Sequence, residues 1–69
     1  NEALDEFFVG LRDLYETETG KSAIAGAHFN GKPKTDFEKL IYLGYQIIRP
    51  AQEYQAALKA YERAISRNS

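Results

Sequence analysis

The 69-residue chain lacks cysteine, methionine and tryptophan, and it contains one histidine and two prolines. Without cysteine it has no disulfide and no thiolate ligand for a metal, and one histidine cannot form a metal site alone. No apolar stretch approaches the roughly 20 residues that span a bilayer, and no signal peptide is visible. We therefore expect no metal, no cofactor and no membrane span, and an intracellular, cytoplasmic location.

The chain is short for a self-sufficient domain, because one core rarely gives ample stability below roughly 70–80 residues. We expect a single domain over residues 1–69, with a partner that helps to complete its core. The net charge is only −1, although the first 18 residues carry six acids against one arginine. A chain with so little net charge is not expected to bind polyanions strongly. Because it begins at Asn1 and has no methionine, we expect it to be a piece of a longer protein.

The first part of the chain has the pattern of an amphipathic helix. Its apolar residues recur at spacings of three and four, with charges on the opposite face: Leu4, Phe7, Phe8, Leu11, Leu14 and Tyr15. We predict a helix over residues 2–18. Gly20 follows the last periodic residue and is a natural stop.

Residues 19–34 form a predicted loop, because they contain three glycines and the turn signal Asn30-Gly31. Ile24 and Phe29 are its large apolar residues, and we expect them to pin the loop against the core. His28 is the only side chain with an ordinary pKa near neutrality. No motif brings an oriented partner or a nucleophile to it, and the Gly-Lys pairs lack the context of a phosphate cradle. We therefore predict that the protein is not an enzyme.

Thr35 or Asp36 is the predicted cap of a second helix over residues 36–49. Its main apolar stripe consists of six residues: Phe37, Leu40, Ile41, Gly44, Ile47 and Ile48. Tyrosine and leucine widen this stripe most of the way round, so we expect this helix to be the most buried one, between its neighbours. Pro50 ends it and is expected in the first turn of a third helix over residues 51–67. The sequence thus predicts an all-α fold, a small three-helix bundle with a long first loop.

Residues 37–67 resemble the helical hairpin of a tetratricopeptide (TPR) repeat. The resemblance is carried by Leu40, Leu43-Gly44 and Ile47 on the first helix and by Tyr54, Ala57, Tyr61 and Ala64 on the second. A glycine that faces an alanine, Gly44 against Ala57, lets two helices approach closely. The resemblance implies an antiparallel hairpin whose first helix lines a ligand groove. Five residues of this chain occupy that face: Glu38, Ile41, Tyr45, Ile48 and Arg49.

The chain departs from the repeat pattern in its turn and at its end. The turn holds one extra residue, Pro50, and Ser69 stands where these repeats commonly have proline. The family also stacks three or more copies, whereas this chain has one. The first helix can therefore close the groove face with Phe7, Phe8 and Leu11, or leave it open to a partner.

A weaker likeness connects the chain with ARID-type DNA-binding domains. It is carried by Phe7, Leu11, Leu14, Gly31-Lys32, Asp36-Phe37, Leu40 and Leu43, with Ala57-Leu58 and Tyr61 in the closing helix. The family's middle segment, which holds its helix-turn-helix, has no counterpart between Leu43 and Gln55, so a recognition helix is missing. The likeness implies a nucleic-acid-binding domain that uses the Lys and Arg residues of 21–67.

The sequence therefore predicts a non-enzymatic protein–protein interaction module or small subunit, with no small-molecule substrate. It would pack the apolar face of the second helix, together with the loop that holds Ile24 and Phe29, against another protein or a second copy of itself. The alternative is nucleic-acid binding, which requires that Lys32, Lys34, Lys39 and the arginines form one contiguous patch.

Overall fold

The computed structural model describes residues 2–67, and within them it contains three helices and no strand. Helix α1 spans Glu2–Thr19, α2 spans Asp36–Ile48 and α3 spans Tyr54–Arg67. The predicted all-α three-helix bundle with a long first loop is therefore confirmed. Asn1, Asn68 and Ser69 lie outside the described residues.

Helix α1 ends at Thr19, directly before the predicted stop at Gly20. Gly20 has φ of +69°, a left-handed conformation that costs glycine little. Its N–H donates to the carbonyl of Glu16 at 2.9 Å, which closes the last turn of the helix. Phe8 is the residue of α1 whose side chain is completely buried.

Helix α2 begins with a capping box. The hydroxyl of Thr35 accepts from the N–H of Glu38 at 3.1 Å, and the carboxylate of Glu38 accepts from the N–H of Thr35 at 3.0 Å. Two N–H groups that the helix itself cannot pair are thereby satisfied, which stabilises the helix start by about 1 kcal/mol. Of the two predicted caps, Thr35 is the one used.

Helix α3 begins at Tyr54, so the predicted start at residue 51 is wrong. Pro50 lies in a turn that connects the helices, where the N–H of Gln52 donates to the carbonyl of Arg49 at 3.2 Å. Proline suits the second position of such a turn because its φ is fixed near the required value. The first helical hydrogen bonds of α3 end on the carbonyl of Glu53, which leaves Pro50 outside the helix.

The most buried helix is α3, not α2 as predicted. It contributes more buried residues than either neighbour, and α1 and α2 each pack more extensively on it than on each other. Three alanines explain this arrangement, because small side chains let two helices approach the same helix closely: Ala57, Ala60 and Ala64. Between them, Tyr61 packs edge-on against the rings of both Phe8 and Phe37.

Helices α1 and α2 run in opposite directions along a narrow seam. Phe8 stacks on Tyr45 with ring centres 6.3 Å apart, and Tyr15 meets Phe37 at 5.0 Å. The ring of Phe7 covers Gly44, where a Cβ atom would lie 2.6 Å from Cε2 of that ring. The nearest side chain to Gly44 is therefore Phe7 of α1, whereas the sequence predicted Ala57 at this position.

Candidate functional site

The five predicted groove residues do not form one accessible surface. Glu38 and Ile41 are interior, with 2% and 0% of their surface exposed. Tyr45 is half-buried against Phe8, and Ile48 and Arg49 are exposed at the end of α2. Helix α1 covers this face at Tyr45 and the loop covers it at Glu38, so a partner cannot contact Ile41 without opening the bundle.

A different face of α2 is exposed and apolar. Leu40, Leu43 and Ile47 have 41%, 60% and 79% of their surface exposed. Their spacing of three and four residues places them in one stripe along the helix. Across the seam, the exposed side chains of Phe7 and Leu14 lie on the neighbouring face of α1. We call these five residues the apolar patch.

The sequence pattern did not reveal this patch, because it assigned Leu40 and Ile47 to the inward stripe. Helix α2 is apolar on nearly every side, so periodicity cannot tell which side the core takes. The core takes the side with Phe37, Ile41 and Gly44, because that side faces α3 and the ring of Phe7. Leu40, Leu43 and Ile47 are left facing outward.

Glu38 has a structural role that explains its burial. Its carboxylate accepts from the N–H groups of Gly26, Lys34 and Thr35 at 2.8–3.0 Å and lies 2.7 Å from Nε2 of His28. Burial opposes its ionisation, but these hydrogen bonds outweigh burial and lower its pKa from 4.5 to about 2. We call this arrangement the Glu38 cluster. It ties three parts of the loop to the start of α2.

Tyr54 adds a second tie between the loop and the bundle. Its hydroxyl donates to the carbonyl of Gly26 at 2.9 Å. Burial, together with the negative charge of Glu38, raises the pKa of Tyr54 to about 12, so this donor keeps its proton at neutral pH. Nearer α1, the carboxylate of Glu16 accepts from the N–H of Ala23 at 2.9 Å.

Polar contacts hold the loop in place, together with the small side chains of Ala23 and Ala25, which pack against the core. The prediction that Ile24 and Phe29 pin it is wrong, because Ile24 is largely exposed and Phe29 is fully exposed. The loop is ordered by the Glu38 cluster while its two large apolar side chains point outward. Both side chains are consequently available for contact with another molecule.

His28 has an acidic partner that no sequence motif indicates. It pairs with Glu38, ten residues further along, and stacks on the ring of Tyr54 with centres 6.4 Å apart. The same carboxylate already accepts three backbone N–H groups. The pair therefore serves to anchor the loop. Among residues 2–67 no group of three or more metal-ligating side chains comes together.

The basic side chains near the surface hollows fall into separate groups. Arg49, Arg63 and Arg67 line a hollow of about 180 Å³ that also contains Asp5, which pairs with Arg67. Lys32 lines another hollow, of about 630 Å³, together with an acid, Glu53, and three aromatic residues: Phe29, Tyr42 and Tyr54. In each hollow an acidic side chain offsets part of the positive charge.

No helix within residues 2–67 combines the length and the hydropathy that a membrane crossing requires. Comparisons of the chain with protein-family models, with curated proteins and with solved structures find no match. The function of this chain is therefore inferred from the geometry of the described residues.

Proposed function

We propose that this chain is a non-enzymatic protein–protein interaction module that binds a protein partner through the apolar patch. The observation that supports this most directly is the exposed stripe Leu40, Leu43 and Ile47 on an otherwise well-packed bundle. Single exposed apolar residues are ordinary, but a monomer rarely exposes a contiguous apolar group larger than a few hundred Å², and the largest such group is often functional. The binding mode is contact between helical faces, with anchors three and four residues apart.

The energetics favour occupation of this surface. Complete burial of an exposed Leu or Ile side chain contributes roughly 1.5–3 kcal/mol, so anchors such as Leu43 and Ile47 can supply much of a binding energy. The rigid bundle beneath them lowers the entropic cost, because the helix does not have to form on binding. Of the residues assigned by the repeat resemblance, Ile48 and Arg49 remain accessible at the end of α2. Glu38 and Ile41 are buried, so the apolar patch replaces them as the proposed contact surface.

The loop offers a second contact region in this proposal. The Glu38 cluster fixes its backbone, and Ile24 and Phe29 project from it. Aromatic residues on a preorganised backbone bury a large area at little entropic cost, which makes them frequent anchors. We expect Phe29 to add affinity, and the patch to provide the larger share because it presents more apolar side chains.

Site-specific photo-crosslinking in cells tests the proposal. A crosslinking amino acid replaces Ile47 in the patch or, as a control, Lys59, which is exposed on α3. We expect discrete protein adducts from position 47 and none from position 59. A second substitution, Leu43→Glu, should abolish them without unfolding the chain. Equal labelling from both positions, or adducts that survive Leu43→Glu, would contradict the proposal.

Nucleic-acid binding through the basic residues is the alternative, and the separation of Arg63 and Lys32 into different hollows does not favour it. It predicts binding to duplex DNA that weakens steeply as salt is added. Titration of labelled duplex at low ionic strength tests it. The absence of binding there would eliminate it, and salt-sensitive binding that Leu43→Glu leaves intact would favour it over the protein-binding proposal.

A further inference from the structure

We infer that the partner covering the apolar patch is a second copy of this chain, in a two-fold dimer whose axis runs along the seam between α1 and α2. The inference rests on the proposed function, since it names the occupant of the same surface. Three observations support it: the area of the patch, its relief, and the placement of charges at its edges.

The area of the patch suits a dimer. Five large side chains, each between 40% and 79% exposed, give an apolar surface on the order of 500 Å². A two-fold dimer uses this surface on both copies, about 1,000 Å² of apolar area, and specific interfaces begin at roughly 1,200 Å² in total with their polar rim included. A second copy therefore supplies the matching apolar area without a further protein.

The relief of the patch is self-complementary. On one side of the seam, Leu43 and Ile47 project as a ridge. On the other side, α1 carries Gly10, around which a Cβ atom would meet nothing within 4 Å, so the surface there is low and open. A two-fold axis between ridge and hollow places the ridge of each copy over the hollow of the other, which is the requirement of an isologous interface.

Charged residues at the two outer edges of the patch are placed as the same two-fold axis requires. The contacts Phe8–Tyr45 and Tyr15–Phe37 set the register of the seam, and in this register Lys39 on α2 is level with residue 13 of α1. Both Lys39 and Asp13 are exposed, on the far sides of their helices from the seam. An axis parallel to the helices carries Lys39 of one copy to Asp13 of the other, twice per dimer.

The first experiment measures self-association by sedimentation equilibrium of the full chain. We expect a monomer–dimer equilibrium that Ile47→Glu weakens at least about a hundredfold, because the buried charge enters the interface twice. Lys59→Glu is the control, since it introduces the same side chain at an exposed position of α3 outside both the patch and the loop, and it should leave the equilibrium unchanged. Far-ultraviolet circular dichroism should show both variants helical.

The second experiment tests the axis by charge reversal. Lys39→Glu and Asp13→Lys should each weaken the dimer, by roughly three- to tenfold for a rim pair that occurs twice, and the double variant should restore it. If the losses of dimer affinity in the two single variants add in the double variant, the proposed position of the axis is wrong. A chain that stays monomeric at millimolar concentration would overturn the inference of a dimer. Crosslinks from position 47 to a different protein would then show that the proposed protein-binding function holds without the dimer.

Discussion

Helices α2 and α3 differ in a way that their compositions do not suggest. Helix α2 has the larger share of big apolar residues, yet Leu43 and Ile47 face outward, whereas α3 buries nearly everything apolar that it has. The alanines of α3, such as Ala57 and Ala64, give two neighbours a close approach. A helix face in this bundle is thus buried where small side chains let neighbouring helices approach it. The apolar surface of α2 that no neighbour covers is available for binding.

A matched pair of leucine substitutions should show the largest difference between the two helices. Leu58→Ala on α3 removes a buried side chain and should lower the free energy of unfolding by about 2–5 kcal/mol. Leu43→Ala on α2 removes an exposed one and should change it by less than about 0.5 kcal/mol. Urea denaturation at a concentration where the chain is monomeric measures both. Equal losses would show that the α2 stripe belongs to the core.

The Glu38 cluster predicts a loss of stability in acid. The pKa of Glu38 is 4.5 when unperturbed and about 2 in the folded chain. Its contribution, roughly 3 kcal/mol, is complete above pH 4.5 and is lost as the pH falls through 2. Glu38→Gln should remove this part of the pH dependence and lower stability at pH 7. Urea denaturation between pH 7 and pH 2 measures the free energy of unfolding of the unsubstituted chain and of Glu38→Gln. Parallel dependence on pH in the two chains would contradict this role of Glu38.

The start of α2 should depend on its cap, in contrast to α3, which is held mainly by packing. Thr35→Ala should lower the free energy of unfolding by about 1 kcal/mol, because the N–H of Glu38 loses its acceptor. Thr17→Ala, at an exposed position within α1, is the control and should be neutral or slightly stabilising. Thermal unfolding of both variants measures this. A neutral Thr35→Ala would mean that the carboxylate of Glu38 alone secures the helix start.

The smallest effect is expected at the seam. In Gly44→Ala the new Cβ would displace the ring of Phe7, which is partly exposed and can rotate outward. The cost is offset by the gain of about 1 kcal/mol in helix propensity, so stability should change by less than about 1 kcal/mol. Chemical shifts of the Phe7 ring should change clearly. A loss above about 3 kcal/mol would show that the ring is locked in place.

Much of the fold could be predicted from the sequence, because helix periodicity and stop signals are local. The pattern of α1, its end at Gly20 and the cap at Thr35 depend on residues within a few positions of each other. The start of α3 was mispredicted because Pro50 suits both a turn and a helical first turn. The structure decides between them by a hydrogen bond from Gln52 to Arg49.

The candidate site was harder to predict, because it depends on contacts between distant residues. The stripe of α2 that becomes exposed is decided by Phe7 and by α3, which no spacing within α2 can report. The Glu38 cluster joins Glu38 to the backbone N–H of Gly26, 12 positions away, and to the ring of His28, 10 positions away, and no sequence motif marks either contact. Its local part, Thr35 followed three residues later by Glu38, is the signal that could have indicated it.

We infer that the outward face of α2 binds a second copy of the chain and contributes little to the stability of the monomer. The most direct measurement is the association constant of the Leu43→Ala chain by sedimentation equilibrium, beside its free energy of unfolding. We predict association at least about tenfold weaker, as expected for an interface anchor, with the stability of the monomer unchanged. Association equal to that of the unsubstituted chain would contradict the claim.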